Sequence, residues 1–218
     1  MWTKNICILA IILGSLPAFS DTITATITFP KRPPKVGLLY ISDDKSGANA
    51  KGPTIDQQNK EFISPLFVGP KDSEITFQNS DDISHNVYAD DRENGVKFDL
   101  GISEASSKFS RKVKISWDEG KIVKVACKIH PRMHTWVASL STSHYQVVKF
   151  DRKKKGASFE VKLKDVPSTL EKISLWLPKF ESQSIAVKTG ETKVADLIRK
   201  GKVKGSIKIV RTPGNAGG

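Results

Sequence analysis

A cysteine, a histidine and a methionine follow one another at intervals of three residues, as Cys127, His130 and Met133. A second histidine, His85, lies 42 positions upstream of the cysteine. One thiolate and two imidazoles in a plane, with a weak axial thioether, form a ligand set that suits a single copper ion. A structural zinc site would normally use several cysteines or more histidines and no methionine. The four residues therefore predict a copper site.

A strand and two loops are needed to bring the four side chains together. Val123, Val125 and Cys127 occupy every second position, which predicts a strand that places the thiol on the same face as core apolar residues. A tight loop stiffened by Pro131 could then return His130 and Met133 to the same point. His85 must come from another loop through tertiary folding.

Most of the remaining chain also alternates with a period of two, which favours strands over helices. The residues Ile23, Ala25, Ile27 and Phe29 alternate with threonines, and Asp118–Gly120 is a typical hairpin turn. No segment shows a convincing long helical pattern. Several short strands separated by turns predict an all-β fold with a β-sandwich.

The N-terminus has the features of a cleavable signal peptide, residues 1–20. A short segment with one positive charge precedes the apolar run from Ile6 to Leu16, and small residues at Ala18 and Ser20 favour cleavage before Asp21. The run is too short to span a membrane comfortably. We therefore expect a periplasmic or otherwise exported protein with no membrane span in its mature chain.

Removal of that segment would leave Cys127 as the single cysteine, because Cys7 lies inside the apolar run. A single cysteine cannot form an internal disulfide. An unpaired thiol is a liability in an oxidising compartment unless a metal occupies it. The alternative is an inert, buried cysteine on a strand.

The whole chain carries a formal net charge of +12. Solvated strand faces account for many of its lysines, but the excess could also form a face for an acidic redox partner or an anionic envelope surface. Nucleic acid is a poor candidate ligand, because the chain lacks basic stretches interleaved with aromatic residues. The sequence does not determine the oligomeric state.

Residues 54–140 carry a family resemblance in the strings Ile75–Asp81, His85–Tyr88, Phe98–Gly101 and Cys127–Met133. This stretch resembles the bacterial cupredoxins related to plastocyanin and amicyanin, and among them the methylamine-utilisation-like proteins. The resemblance implies a Greek-key β-sandwich and a mononuclear type 1 (blue) copper. His85, Cys127 and His130 would hold the copper with Met133 axial, for one-electron transfer and no enzymatic activity.

The resemblance also implies roles for residues around the ligands. Asn86 would join the two ligand loops by hydrogen bonds and so orient the site. Pro131, Arg132 and His134 would form a docking patch for a redox partner, with His134 unliganded. His144, farther along the chain, is interpreted as a surface residue.

The chain continues beyond the stretch that resembles a cupredoxin. Further alternating segments predict more strands in a small β-rich extension. Within it, Gly156 to Trp176 resembles the carboxypeptidase-regulatory-type β-sandwich found attached to such cupredoxins, which implies a second small β-sandwich with a scaffold or docking role. The expected division is a signal peptide at 1–20, a copper-binding domain at 21–142 with its core at 54–140, a C-terminal domain at 143–211 and a flexible tail at 212–218.

Two alternatives to electron transfer stay open from the residues. Cysteine, histidine and methionine also serve in copper delivery or storage, and a β-sandwich without metal could act as a binding or scaffold module. A copper enzyme such as a nitrite reductase would need another histidine-rich centre. With 4 histidines in the chain, two of them already assigned as ligands, the sequence predicts no such centre.

Overall fold

The computed structural model describes residues 20–106 and 110–214. Within these residues the chain forms strands and no helix, so the predicted all-β fold is confirmed. The strands are β1 Ser20–Phe29, β2 Val36–Ile41, β3 Thr54–Ile55, β4 Gln57–Gln58, β5 Glu61–Phe62, β6 Leu66–Gly69, β7 Glu74–Gln78, β8 His85–Asp91, β9 Val96–Ser103, β10 Ser110–Lys114, β11 Ile122–Ala126, β12 His134–Ser139, β13 Tyr145–Lys149, β14 Ala157–Pro167, β15 Lys172–Trp176, β16 Gln183–Ala186, β17 Thr192–Arg199 and β18 Lys202–Pro213.

The strands form two sandwiches. In the middle sandwich, the sheet β6-β12-β11-β8-β9 faces the sheet β10-β7-β3, and the short hairpin β4-β5 lies beside them. In the terminal sandwich, the sheet β14-β1-β18-β17 faces the sheet β13-β2-β15-β16. Each sandwich encloses its own cluster of buried apolar side chains, as period-two strands with one apolar face require.

A third apolar cluster joins the two sandwiches. Val36, Leu38 and Tyr40 of β2 pack there against side chains of the middle sandwich, such as Leu66 and Ala138. The alternate residues of β2 point the other way, into the core of the terminal sandwich. All six residues of β2 are therefore buried, which explains why its sequence is a continuous apolar run instead of an alternating one.

The strand pairing differs from the domain boundary expected from the sequence. β1 pairs with β14 and β18, and β2 pairs with β13 and β15, so both belong with C-terminal strands instead of with residues 54–140. The physical reason is that alternation fixes which face of a strand is apolar but does not identify its partner strand.

The first and last strands mark the two ends of the described chain. β18 continues to Pro213, so Thr212 and Pro213 belong to a sheet instead of the predicted flexible tail. The predicted signal peptide lies outside the described residues except for Ser20, the first residue of β1. Within residues 20–106 and 110–214 there is no helical segment with the length and hydrophobicity that a bilayer crossing needs.

Asp44 connects two loops where the sandwiches meet. Its Oδ2 accepts hydrogen bonds from Thr142 Oγ1 at 2.7 Å, Ser143 N at 3.1 Å and His144 Nδ1 at 2.9 Å, and Oδ1 accepts one from Ser46 N at 2.8 Å. The second nitrogen of His144 lies 3.1 Å from the carbonyl oxygen of Asp165. His144 is therefore a half-buried structural residue, not the surface residue that we expected.

We expect Asp44→Ala to lower the free energy of unfolding by about 1–3 kcal/mol at neutral pH, because it leaves several buried donors unpaired. Burial raises the pKa of Asp44, but the hydrogen bonds from Thr142, His144 and Ser46 outweigh burial, so the pKa lies well below its ordinary value. A depressed folded-state pKa adds stability that is fully present above the unfolded value of about 3.9 and is lost as the pH falls through the folded value.

Urea unfolding at neutral pH and at pH values below about 4 measures this effect. The difference between the unaltered protein and Asp44→Ala should shrink as the pH falls. Asp43→Ala is a matched control, because this neighbouring carboxylate accepts hydrogen bonds only from the backbone of Glu171 and Lys172 among the contacts of the described residues. A difference that stays constant with pH would contradict the role assigned to the Asp44 carboxylate.

Candidate metal centre

Three donor atoms converge at one end of the middle sandwich. His85 Nδ1 and His130 Nδ1 are 3.0 Å apart, and the Sγ of Cys127 lies 4.0 Å from the first and 3.7 Å from the second. In the part of the chain that the structure describes, this is the one group of three such donors close enough to share an ion. The structure thus brings together three of the four residues predicted as ligands.

The strands place these donors. β8 begins at His85, and Cys127 directly follows the last residue of β11, which pairs with β8. The loop from Cys127 to Met133 joins β11 to β12 as a tight hairpin. A hydrogen bond from Cys127 N to the carbonyl oxygen of Met133, at 3.1 Å, joins the two ends of the loop. A second hydrogen bond, from Met133 N to the carbonyl oxygen of His130 at 2.8 Å, closes a turn within it.

The donor separations fit a metal ion. Protein metal–nitrogen bonds of about 2.0–2.1 Å and metal–sulfur bonds of about 2.3 Å limit the distances between donors to about 4.2 Å for two nitrogens and about 4.4 Å for a nitrogen and a sulfur. The three observed separations all lie below these limits. One thiolate with two imidazoles is also the in-plane donor set that suits copper.

A carboxylate that the sequence analysis missed orients His85. Nε2 of His85 lies 2.7 Å from Asp81 Oδ2, and both side chains are buried. A contact this short to a carboxylate needs a proton on Nε2, which leaves the Nδ1 lone pair free to face the site. Burial raises the pKa of Asp81, but hydrogen bonds from the Lys60 backbone, His85 and Asp82 outweigh it and hold the pKa well below its ordinary value.

His130 presents its nitrogen to the same point. Burial, and then the nearby His85, lower the pKa of His130, which favours the neutral imidazole that a metal ligand must be. The 3.0 Å between the two Nδ1 atoms suits either a hydrogen bond, with a proton on one of them, or a cation that both nitrogens hold.

Asn86 links the strand that carries His85 to the cysteine loop. Its backbone N–H donates to Cys127 Sγ at 3.4 Å, and its Oδ1 accepts from the backbone N–H of Lys128 at 3.4 Å. Its Nδ2 donates to Asp99 Oδ1 at 2.7 Å, while Asp99 forms an ion pair with the Lys128 ammonium group. That ion pair, with hydrogen bonds from the Gly101 backbone and Asn86, lowers the pKa of Asp99 to about 2. Asn86 thus connects the two loops that carry Cys127 and His85, and its role at the site stays a prediction.

The other predicted residues lie around the same loop. Met133 is buried in the same apolar cluster as Cys127. Pro131 and Arg132 are exposed, and His134 is half-buried, with Nδ1 lying 3.1 Å from the carbonyl oxygen of Arg132. Burial lowers the pKa of His134. Arg132, Met133 and His134 also line a large groove between the two sandwiches.

The sequence held only a weak indication of Asp81. It lies four positions before His85, in a turn that sequence analysis expects to be polar. Its burial depends on contacts that are remote in the chain, such as the hydrogen bond from Lys60 N at 2.8 Å. The position in the sequence alone cannot distinguish this residue from the exposed Asp82 beside it.

No known protein-family profile matches the chain, and no curated protein matches it either. Among solved structures, the purple cupredoxin from Nitrosopumilus maritimus is similar over 39% of this chain and 97% of its own, at 17% identity and a TM-score of 0.33. Amicyanin from Paracoccus versutus is similar over 53% of this chain and 96% of its own, at 15% identity and a TM-score of 0.32. A Cu-containing nitrite reductase from Thermus scotoductus SA-01 is similar over 39% of this chain and 21% of its own, at 16% identity and a TM-score of 0.33.

Proposed function

We propose that this chain is an exported protein that binds one type 1 copper ion and carries single electrons between redox partners. The observation that carries the proposal is the convergence of His85 Nδ1, Cys127 Sγ and His130 Nδ1 at separations of 3.0–4.0 Å. When bound, copper supplies a one-electron couple. Met133 would supply a fourth, thioether ligand; it is 2% exposed and packs in the same apolar cluster as Cys127.

The protein around these donors suits electron transfer. His85 and Cys127 are 0% and 1% exposed, so water is excluded from the thiolate. The donors are held by a hairpin and by the contacts of Asn86, so they need not move when the charge of the ion changes. A hydrogen bond to the sulfur, such as that from Asn86 N, is one of the contacts that tune the potential of such a site.

One ligand lies nearer to solvent than the others. His130 is half-buried, and the next residue toward the N-terminus, Ile129, is 47% exposed. An apolar residue exposed beside a ligand suits a short-lived contact with a partner. Electrons would therefore pass through His130, and Pro131, Arg132 and His134 would contact an acidic redox partner.

A titration of the purified protein with Cu(II), followed by visible absorption, tests the proposal. We expect an intense blue thiolate-to-copper band that saturates at about one equivalent, bleaches with ascorbate and returns on reoxidation. A well-folded protein without this band would contradict electron transfer. Tight Cu(I) binding without colour would instead indicate copper delivery or storage, and no copper binding would indicate a binding or scaffold module.

We expect Asp81→Ala to weaken copper binding about 10–100-fold, because His85 loses the carboxylate that fixes its proton on Nε2. Competition with a chromophoric Cu(I) chelator measures the affinity. Asp82→Ala is the matched control, since Asp82 is exposed and adjacent in the chain. Near-ultraviolet circular dichroism checks the fold of both variants. Equal affinities for the two variants would show that Asp81 does not orient the ligand.

A further inference from the structure

A groove with a volume of 1080 Å³ lies between the two sandwiches. The turn between β1 and β2, residues 30–35, forms part of its wall, and Glu61–Ile63 of the middle sandwich forms another part. Met133 and His134, at the end of the cysteine loop, also line it. The apolar cluster centred on β2 joins the sandwiches, so the groove is part of the folded structure and does not need a ligand to form.

The groove is strongly basic. Ten lysine and arginine side chains line it, against the single carboxylate of Glu61. None of the ten forms an ion pair within the described residues, whereas lysines elsewhere, such as Lys45, Lys71 and Lys112, lie 2.7–3.1 Å from a carboxylate. Uncompensated like charges in one concave surface repel each other and attract anions. A mobile anionic partner would offset this repulsion.

The groove also has an apolar component. Ile63 and Val203 line it and are 50% and 58% exposed, unusually high values for large apolar side chains of this protein. Its aromatic rings are already engaged. Phe29 and Phe62 are buried, Trp136 packs edge-to-face against Trp176, and Phe180 lies under Arg199. The rings are therefore not available to stack on nucleotide bases, which single-stranded nucleic acids require.

We propose that this groove binds an extended acidic segment of a partner polypeptide and so brings the partner to the cysteine loop. The proposal rests on the electron-transfer function above. Cationic walls beside exposed apolar side chains suit a segment in which acidic and apolar residues alternate, since such a strand presents the two kinds of side chain on opposite faces. The same walls would repel a second copy of this chain, which carries a net charge of +12.

Other occupants fit less well. The segments outside the described residues contain no aspartate or glutamate, so they offer no acidic side chain to the groove. A bilayer surface is broad and cannot enter a concave groove. A single phosphate group is small beside a volume of 1080 Å³ and would contact few of the ten cations. An acidic peptide segment is long and narrow enough to contact many of them.

The test uses a fluorescein-labelled ten-residue peptide of alternating Glu and Ala, with the Gln-for-Glu peptide as its control. Fluorescence anisotropy measures the binding of each peptide to the metal-free full chain at low and high salt. We expect the acidic peptide to bind, salt to weaken it, and the Gln peptide to bind far more weakly. Because the protein is metal-free here, peptide binding and the blue copper band are independent results. Peptide binding can be absent while the band appears in the copper titration, and it can be present while the band does not appear.

Two triple variants locate the site. Lys31→Glu/Arg32→Glu/Lys35→Glu reverses three exposed groove charges and should weaken binding about tenfold or more, because three attractive pairs become repulsive. Lys97→Glu/Lys164→Glu/Lys208→Glu reverses three exposed charges outside the groove, and we expect a loss of no more than about twofold. Three results would overturn the proposal. The two triple variants could lose the same amount of peptide affinity, or the Gln peptide could bind as tightly as the acidic one. A single-stranded oligonucleotide of equal charge could also bind in the groove more tightly than the acidic peptide.

Discussion

Cys127→Ser is expected to abolish the blue band and to weaken copper binding by about 100-fold or more. Substituting a residue that hydrogen-bonds to a metal ligand typically costs about 10–100-fold in affinity, and the loss of a direct thiolate ligand should cost at least as much. The hydroxyl that replaces the thiol is neutral at pH 7 and is a harder donor, so it can provide neither the charge nor the soft sulfur that copper prefers. The Cu(II) titration and chelator competition measure both effects.

His134→Asn is the matched control for this variant. It changes a histidine at the end of the same loop that is not among the three converging donors. We expect it to keep the blue band and most of the affinity. If Cys127→Ser is folded by near-ultraviolet circular dichroism and still gives the blue band, Cys127 is not the thiolate ligand. If His134→Asn loses the band as well, the ligand set proposed above is incomplete.

Arg211→Met should destabilise the terminal sandwich severely, by about 3–5 kcal/mol, the usual cost of removing one partner of a buried ion pair. Arg211 is 0% exposed, and its Nε donates to Asp21 Oδ2 at 2.6 Å. Its other nitrogens donate to the backbone carbonyl oxygens of Leu170 at 2.5 Å, Val187 at 3.0 Å and Pro167 at 2.9 Å. The variant would leave a buried carboxylate and three carbonyl groups without this donor.

Urea unfolding followed by tryptophan fluorescence measures the loss. Lys208→Met is the matched control, because Lys208 lies on the same strand, is exposed, and should change stability by no more than about 0.5 kcal/mol. The double variant Asp21→Leu/Arg211→Met should recover part of the loss, since it removes the isolated charge. If the single variant costs no more than the control, Arg211 does not hold the terminal sandwich together.

Local sequence patterns were sufficient for the general fold and for the compact loop that brings two of the three donors, Cys127 and His130, together. Alternation in β1 predicts a strand because every second residue of this strand is buried on one face. The spacing of Cys127, His130 and Met133 predicts a compact loop, and the structure closes that loop with two hydrogen bonds. Both inferences depend on residues close together in the chain, where spacing restricts geometry strongly.

Inferences that depend on distant residues were less successful. The continuous apolar run of β2 could have indicated burial on both faces, but it does not name the strands on either side. Asp81 and His144 both looked like residues of polar turns, yet their side chains are buried or half-buried by contacts with remote segments. Such contacts follow from the packing of whole sheets, which single-sequence patterns do not describe.

The strand pairing makes the middle sandwich an insertion within the terminal sandwich. Thr28 and Ser158, which are hydrogen-bonded, are 130 positions apart, and Asp21 and Arg211 are 190 positions apart. The middle sandwich has its strands in one continuous segment and can assemble as soon as that segment has been synthesised. β1 and β2 must wait for partners at the far end of the chain, and closing such long loops slows folding. The middle sandwich can therefore mature first and act as a template on which the two ends of the chain meet.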